Sequence, residues 1–433
     1  MIASIISNYI FGKLIFNAQE KSNNHISSLI YLKFGMTINI GLLISFKYAN
    51  FITNNLNVIL TRFDFPVVQL EPIHLPLGIS FFTFQAISYI VDVYRREVKA
   101  QNNIYNLALY ISLFPQLIAG PIVRYHDVAS QISGRRHSIE LFSSGVQCFI
   151  IGLAKKMLIA NPLGEVADNV FALSAEDLTM PLAWIGILSY SLQIYFDFSG
   201  YSDMAIGLGR MFGFRFQKNF NYPYISRSLR EFWRRWHISL STWFRDYVYI
   251  PLGGSRVSTL RVYLNLLMVF LLTGIWHGAS WNFVAWGLFH GFFLASEHMG
   301  LSNLLNKAWR PIQHLYTVLV IIGSWVLFRA DSITQATHYF HAMANTANWH
   351  TTAFQYAQVI SNEFVYVFAI GLIFSLPVYS WLNNHLTAFT EPSPLKAASL
   401  MYFPRLVLLS MLLMFSILKI ASSTYNPFIY FRF

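Results

Sequence analysis

Residues 262–296 read VYLNLLMVFLLTGIWHGASWNFVAWGLFHGFFLAS, and this stretch decides the fold. It carries no Lys, Arg, Asp or Glu in thirty-five residues, yet it holds two histidines, His277 and His290. One membrane crossing needs about 20 predominantly apolar residues. The stretch therefore predicts one span and most of a second, broken near Gly274-Ile275-Trp276-His277-Gly278. A neutral imidazole costs less to bury than a charge, but at that depth it still needs a partner or water. His277, beside a tryptophan and two glycines, is the first candidate functional residue.

The rest of the composition agrees. The chain has 433 residues, 55% hydrophobic and 11% charged, where soluble domains carry about 25% charged residues. An all-α polytopic membrane protein follows. The net charge of +11 would suggest nucleic acid in a soluble chain, but here Lys and Arg collect in the connections, as the positive-inside rule requires. A nucleic-acid partner is not expected. The single cysteine, Cys148, cannot form an intrachain disulfide and reads as a packing residue. The opening MIASIISNYIFGKLIF lacks a basic leader and runs straight on, so no cleavable signal is expected.

Apolar segments fall at about 2–16, 29–46, 75–91, 104–123, 141–154, 181–209, 262–276, 278–296, 312–328, 364–383 and 402–420. They predict roughly nine to eleven spans or partial spans in one membrane domain over 1–433. Lys33 lies in the second segment and Lys47 at its end. Arg124, Arg135, Arg136, Lys155 and Lys156 bracket 141–154 on both sides, which argues against that segment as a full crossing. In FPQLIAGPIVRY (114–125), Pro115, Gly120 and Pro121 break the helix. Irregular backbone at membrane depth is tolerated only inside protein or along a cavity, so this is a cavity wall or a helix end at the interface. Asp197 and Asp203, in QIYFDFSGYSDMAIGLG (193–209), are read as caps of a broken helix that line a cavity, with direct catalysis as the alternative and Asp197 a candidate substrate contact.

From 213 to 261 the composition turns basic and aromatic. SRSLREFWRRWHISLSTWFRDYVYI (226–250) fits one helical wheel. Trp233, Trp236, His237, Leu240, Trp243, Phe244 and Tyr247 share an arc, with Arg227, Arg230, Arg234, Arg235 and Arg245 opposite. That pattern predicts a helix lying in the membrane interface, its apolar face in the acyl boundary and its arginines on anionic lipid. His237, at the edge of the arc, is expected to point into the membrane body. Arg234, Arg235 and Trp236 beside it are candidate substrate contacts.

An imidazole suits proton abstraction near neutral pH. Trp, Phe and Gly walls around His277 would exclude water. An activated acyl group brought there could be attacked by an alcohol with the histidine as general base, a role typically contributing about 10²–10⁴-fold. Trp276 and Asn282 are candidate N–H donors to the oxyanion. No GxSxG, Walker A, HExxH or paired-cysteine signature is present. No metal site is expected, since His277 and His290 lack carboxylate or thiolate companions.

The blocks at 114–125, 193–214, 232–254 (FWRRWHISLSTWFRDYVYIPLGG), 274–291 (GIWHGASWNFVAWGLFHG) and 426–433 (NPFIYFRF) together resemble the membrane-bound O-acyltransferase superfamily. Within it, the chain resembles the bacterial branch that includes the alginate O-acetyltransferase membrane subunit. The resemblance implies a multi-helix body with a transmembrane tunnel in the bacterial inner membrane. It makes His277 of the WHG block the catalytic histidine, places His237 of the RRWH block on the cytoplasmic approach, and ranks His290 of the FHG block as secondary. It also implies acetyl-CoA as donor with no bound cofactor, a periplasmic SGNH-type acetyltransferase partner and an exported polysaccharide as acceptor. The amino terminus is shorter than usual for the branch, which implies an absent initial helix. D-alanyl transfer to a cell-envelope polymer is the neighbouring chemistry. The contrasting classes are a flippase for a lipid-linked sugar or acyl carrier, motivated by Asp197 and Asp203, and a scaffold docking a synthase through the Trp/Arg helix.

Overall fold

The computed structural model describes residues 1–21, 23–118, 120–350, 356, 360–378 and 394–427. Residues 379–383 of one predicted segment and 428–433 of the terminal block lie outside the described residues. Helices dominate, and among the described residues there is no strand. Among the described residues five stretches are long and apolar enough to cross a membrane: His25–Arg62, Ile139–Phe171, Thr259–His277, Arg310–Arg329 and Phe403–Ser422. Their outward faces carry exposed large apolar side chains such as Phe34, Leu264, Met268, Met411 and Phe415. An outer surface of that kind suits lipid rather than water. The chain is a multi-pass membrane protein.

At the amino end, α1 (Ile2–Glu20) and α2 (His25–Leu43) are joined by a reciprocal amide pair. Asn8 Nδ2 donates to Asn39 Oδ1 at 2.9 Å, and Asn39 Nδ2 returns a bond to Asn8 Oδ1 at 2.8 Å. Apolar faces drive no helix association in lipid, so such polar contacts help decide the pairing. A π-helical turn, Ile44–Tyr48, then leads into α3 (Ala49–Arg62), a helix the periodicity did not single out. By contrast α4 (Ile79–Tyr94) is buried almost throughout its length and all round its circumference. A helix apolar on every face belongs at the centre of a bundle.

The predicted break at 114–125 is present. After α5 (Ile104–Ser112) and the single turn α6 (Phe114–Leu117), the backbone is irregular over residues 120–124. Residues 120–125 are buried within protein, as membrane-depth loops must be. They lead into α7 (Tyr125–Gly134). Around its start lies an ion network. Arg124 forks onto Asp127 at 2.8 and 2.9 Å and also pairs with Asp246. His126 Nδ1 lies 3.0 Å from Asp92, and the Tyr247 hydroxyl donates to Asp92 at 2.6 Å. Hydrogen bonds to Asp127 and Asp92 raise the His126 pKa to about 9. Asp92, Glu97 and His126 each bring a ligand-type atom within 4.8 Å of the others, among the described residues. The His126 nitrogens are engaged by Asp92 and Asp127 there.

Two expectations about the middle of the chain are corrected. The segment at 141–154, doubted as a crossing, is α8 (Ile139–Ala154). It continues through the π turn Lys155–Ala160 into α9 (Asn161–Phe171), thirty-three residues in all. The helix at 193–209 is not broken, because α10 (Met180–Met211) runs straight through it. The antiparallel contact of α8 and α10 is nearly backbone on backbone. A Cβ on Gly145 would meet the Gly207 carbonyl oxygen at 2.6 Å, and one on Gly152 would meet that of Gly200 at 2.5 Å. That closeness brings both lysines to the α10 carboxylates. Lys155 Nζ lies 2.6 Å from Asp203 and Lys156 Nζ lies 2.8 Å from Asp197. The lysines that argued against a crossing are neutralised by the acids that suggested a broken helix.

The basic segment is corrected as well. In place of one interfacial helix there are two short ones, α11 (Leu229–Trp233) and α12 (Ile238–Phe244), with His237 between them in a left-handed conformation, φ 44°. Phe232, Trp233, Trp236, Leu240, Trp243 and Phe244 are buried in protein rather than laid into lipid, while Arg227, Arg230, Arg234 and Arg245 are exposed. The start of α11 is fully capped. Ser228 Oγ takes the Glu231 N–H at 3.1 Å, and the buried Glu297 carboxylate takes those of Leu229 and Arg230 at 2.7 and 3.2 Å.

Beyond it, α13 (Thr259–His277) and α14 (Trp281–Ser296) form a tight antiparallel hairpin crossing at Gly274 and Gly287. The predicted break therefore begins only at Gly278. The fold is completed by α15 (Ser302–Lys307), α16 (Arg310–Arg329), α17 (Ile333–Ala344), α18 (Asn362–Ser375) and α19 (Pro394–Ser422).

Candidate active site

His277 is the last residue of α13, 8% exposed. Its ring is enclosed edge-on by Trp276, Trp286 and Phe328, with centroids at 5.0, 5.1 and 5.1 Å, and Phe283 lies at 6.4 Å. The glycines build this enclosure. A Cβ at Gly278 would meet the Phe283 ring at 2.2 Å, and one at Gly274 would meet the Phe283 carbonyl oxygen at the same distance. Without them α14 could not bring Phe283 and Trp286 against the histidine.

The second predicted histidine comes to the same place from another element. His237 is fully buried, and its ring lies 6.2 Å from Trp276, so this one indole touches both imidazoles. The backbone strain at φ 44° is tolerated because the turn is bonded on both sides. Ile238 N–H donates to the Asn219 carbonyl at 2.9 Å, and Asn221 N–H to that of Arg235 at 2.9 Å. Asn219 Oδ1 accepts from Ser239 N–H at 3.2 Å and from the Ser239 hydroxyl at 2.9 Å, and lies 3.3 Å from His237 Nδ1. A backbone N–H can only donate, so the atom it meets is the amide oxygen, and His237 Nδ1 must carry the proton. Nε2 is left as the basic nitrogen. Ser239 Oγ also accepts the N–H of Ile122 at 2.9 Å, tying the irregular 120–125 backbone to the same network.

His290 is fully buried one turn beyond Trp286, with ring centroids 4.9 Å apart. Trp233 Nε1–H donates to His290 Nδ1 at 3.4 Å, which puts the imidazole proton on Nε2. Among the described residues neither that Nε2 nor the buried Trp286 Nε1 has an acceptor. A buried donor left unpaired costs about 1–3 kcal/mol, and such exceptions in native folds call for an explanation.

The other predicted contacts divide. The two groups expected to donate to an oxyanion hold other bonds: Trp276 Nε1 gives its one N–H to the Ser80 carbonyl at 3.3 Å, and Asn282 Nδ2 gives one of its two to the Ala330 carbonyl. They hold the site's walls together. Trp236 is buried against Phe232 and Trp325 below the His237 turn. Arg234 is exposed. Arg235 pairs with Glu231 at 2.9 Å and donates to the Asn221 carbonyl at 3.1 Å. Asp197 is held by Lys156, within α10.

Sequence reasoning missed Asn219 and Ser239, which orient His237, and Lys47, Tyr48 and Ser80, which reach the end of α13 from the first hundred residues. Asn219, in the run KNFNYP, had no charge or motif to mark it. Lys47 was visible only as a basic residue closing an apolar segment.

The profile of the membrane-bound O-acyltransferase family matches residues 80–334, a range containing His237, His277 and His290. The chain is 40% identical to the probable alginate O-acetylase of Azotobacter vinelandii over 452 aligned positions, covering 100% of this chain and 90% of that protein. It is 42% identical to the probable alginate O-acetylase of Pseudomonas putida, covering 93% and 84%. It is 38% identical to the peptidoglycan O-acetyltransferase of Helicobacter pylori, covering 78% and 68%. With an aromatic-walled histidine pair at the centre of a helical membrane body and likeness along the whole chain, this protein belongs to the membrane-bound O-acyltransferase family, in its alginate O-acetylase branch.

Proposed function

We propose that this enzyme takes acetyl groups from a cytoplasmic thioester, acetyl-CoA, and passes them across the bacterial inner membrane for O-acetylation of an exported polysaccharide, through a periplasmic SGNH-type partner. A single membrane domain over 1–433 carries the reaction. His277 is the general base. It takes the proton of the acceptor hydroxyl as that oxygen attacks the thioester carbonyl. The tetrahedral intermediate then expels the thiolate, which recovers the proton from the imidazolium, giving ester and free thiol. The chemistry requires water to be kept from the thioester, and the Trp276, Phe283, Trp286 and Phe328 rings do that.

The observation that carries this reading is the meeting of His277 and His237 on one indole, from elements forty residues apart in the chain. With Nδ1 held by Asn219, the His237 imidazole is fixed as one tautomer on the approach to His277. The substrate carbonyl takes the two buried donors that lack an acceptor, Trp286 Nε1 and His290 Nε2. A carrier that moves its cargo without chemistry is not favoured, because Asp197 and Asp203, which would serve it, are each paired with a lysine. The experiment is His277→Ala, assayed in membranes with labelled acetyl-CoA and the polymer-producing host. Loss of acetyl ester with normal amounts of inserted protein is expected. Undiminished acetylation by an inserted variant refutes the assignment.

A further inference from the structure

A helix leaves its last four carbonyls without intrahelical partners, and those of α13 include the carbonyl of His277. All four are taken. Gly278 N–H donates to Gly274 at 3.3 Å, and the Tyr48 hydroxyl donates to Ile275. Lys47 Nζ donates to Trp276 at 2.6 Å and to His277 at 3.0 Å. The third ammonium proton goes to Ser80 Oγ at 3.3 Å, the residue whose carbonyl also accepts the Trp276 indole N–H. One lysine thus spends its three donors on the backbone of the two residues whose rings form the centre of the site, and on their shared neighbour.

From this we infer that Lys47 is the positioning residue of the His277 site, a role that rests on the acyl-transfer reading above. Holding both carbonyls fixes the peptide planes on either side of the His277 Cα, and with them the direction in which its imidazole leaves the backbone. It also fixes the Trp276 indole that touches His237. A cation suits this point twice over. The helix C-terminus carries partial negative charge, and a lysine inside a membrane span is costly unless backbone carbonyls or an acid receive it. The π-helical turn Ile44–Tyr48 is the device that delivers it, placing Lys47 and Tyr48 on consecutive carbonyls of the same helix end. Such turns inside helices recur at functional sites. Lys47 touches no substrate atom in this role. It acts through the residue it holds.

Because Tyr48 and Gly278 continue to cap α13, removal of the ammonium should loosen the histidine without unfolding the helix. The test compares Lys47→Met and Lys47→Arg with parent and His277→Ala in the full chain, in native membranes. It measures acetyl transferred per inserted protein, the half-saturating acetyl-CoA concentration and the unfolding temperature. Lys47→Met should lose about 10²-fold in turnover, the usual cost of an ångström-scale misplacement of a reacting group. Half-saturation and unfolding temperature should stay near parental, and Lys47→Arg should recover part of the loss. A second arm uses Lys47→Cys in a Cys148→Ala background, treated with bromoethylamine to rebuild the ammonium as thialysine. Return of turnover on treatment supports the role. Parental turnover in Lys47→Met, a loss confined to half-saturation, no recovery on aminoethylation, or failure of the cysteine variant to insert would each overturn it. Normal transfer by His277→Ala removes the reading itself, whereas a dead His277→Ala beside an active Lys47→Met removes only this inference.

Discussion

Replacing Gly274 by alanine adds one methyl group at the crossing of α13 and α14. The added carbon would stand 2.2 Å from the Phe283 carbonyl oxygen and 3.2 Å from the Gly287 Cα, both backbone atoms that no rotamer change can move. Ordinary contact begins at 3.4 Å, so the two helices must separate by about 1.2 Å at this point. Overpacking of this kind costs roughly 1–3 kcal/mol, which an extensively packed membrane bundle should survive. The site should not survive it. Phe283 and Trp286 ride on α14, so the same shift withdraws two walls from His277, and a displacement near 1 Å at a reacting group can cost about 10² in rate. Gly323→Ala on α16 is the control, since its Cβ would sit 3.6 Å from the Phe289 ring, in ordinary contact. The assay is acetyl ester formed per inserted protein, with the unfolding temperature read in parallel. Gly274→Ala should be inserted and nearly inactive, Gly323→Ala inserted and active. An active Gly274→Ala, or equal damage from both, would refute the claim that close backbone approach sets the site.

Trp286→Phe keeps a ring against His277 and deletes the N–H assigned to the substrate carbonyl; transfer should fall about 10²-fold, as for loss of one oxyanion donor, and unchanged transfer removes that donor from the mechanism. Lys156→Met strips the cation from Asp197, whose side chain is 1% exposed. Breaking a buried pair from one side costs about 3–5 kcal/mol. Lys155→Met, whose pair with Asp203 is more than a quarter exposed, should cost much less, and equal shifts in unfolding temperature would contradict this ranking. His126 gives a pH dependence of known sign. Its pKa is raised by Asp127 and Asp92 to about 9 in the folded chain, against roughly 6.5 unfolded. Its contribution to stability is therefore complete below about pH 6.5 and is lost as pH rises through about 9. Unfolding temperature should decline across that window in the parent and decline less in His126→Gln; identical profiles would show that the network does not hold the charged imidazole.

Much of this was legible along the chain, for reasons that differ from residue to residue. A run of thirty-five residues without a charge has few places to be except a membrane, so α13, α14 and the burial of His277 followed from composition. The break at Pro121 followed from a ring that removes an N–H. Where local pattern failed, a contact from elsewhere overrode it. The stretch 226–250 has the periodicity of one amphipathic helix, yet its aromatic face met protein instead of lipid and the chain turned at His237, because Asn219 and Ser239 supply bonds that a helix would have forgone. Lys155 and Lys156 looked incompatible with a crossing until Asp203 and Asp197 came to face them across glycines on α10. Trp276 looked like a donor to an oxyanion until the Ser80 carbonyl accepted its single N–H.

By itself the amino-acid order determined the solvent of this protein, the helices that cross it and the histidine placed at the end of one of them. Those properties depend on hydropathy and backbone chemistry, which act over a few residues. Only the tertiary structure decided which imidazole meets which indole, which nitrogen of His237 carries the proton, and that a lysine from the π-helical turn after α2 holds the carbonyl of His277. Hydrogen bonds act over about 3 Å between atoms that can lie more than two hundred residues apart, and only the folded chain brings those atoms together.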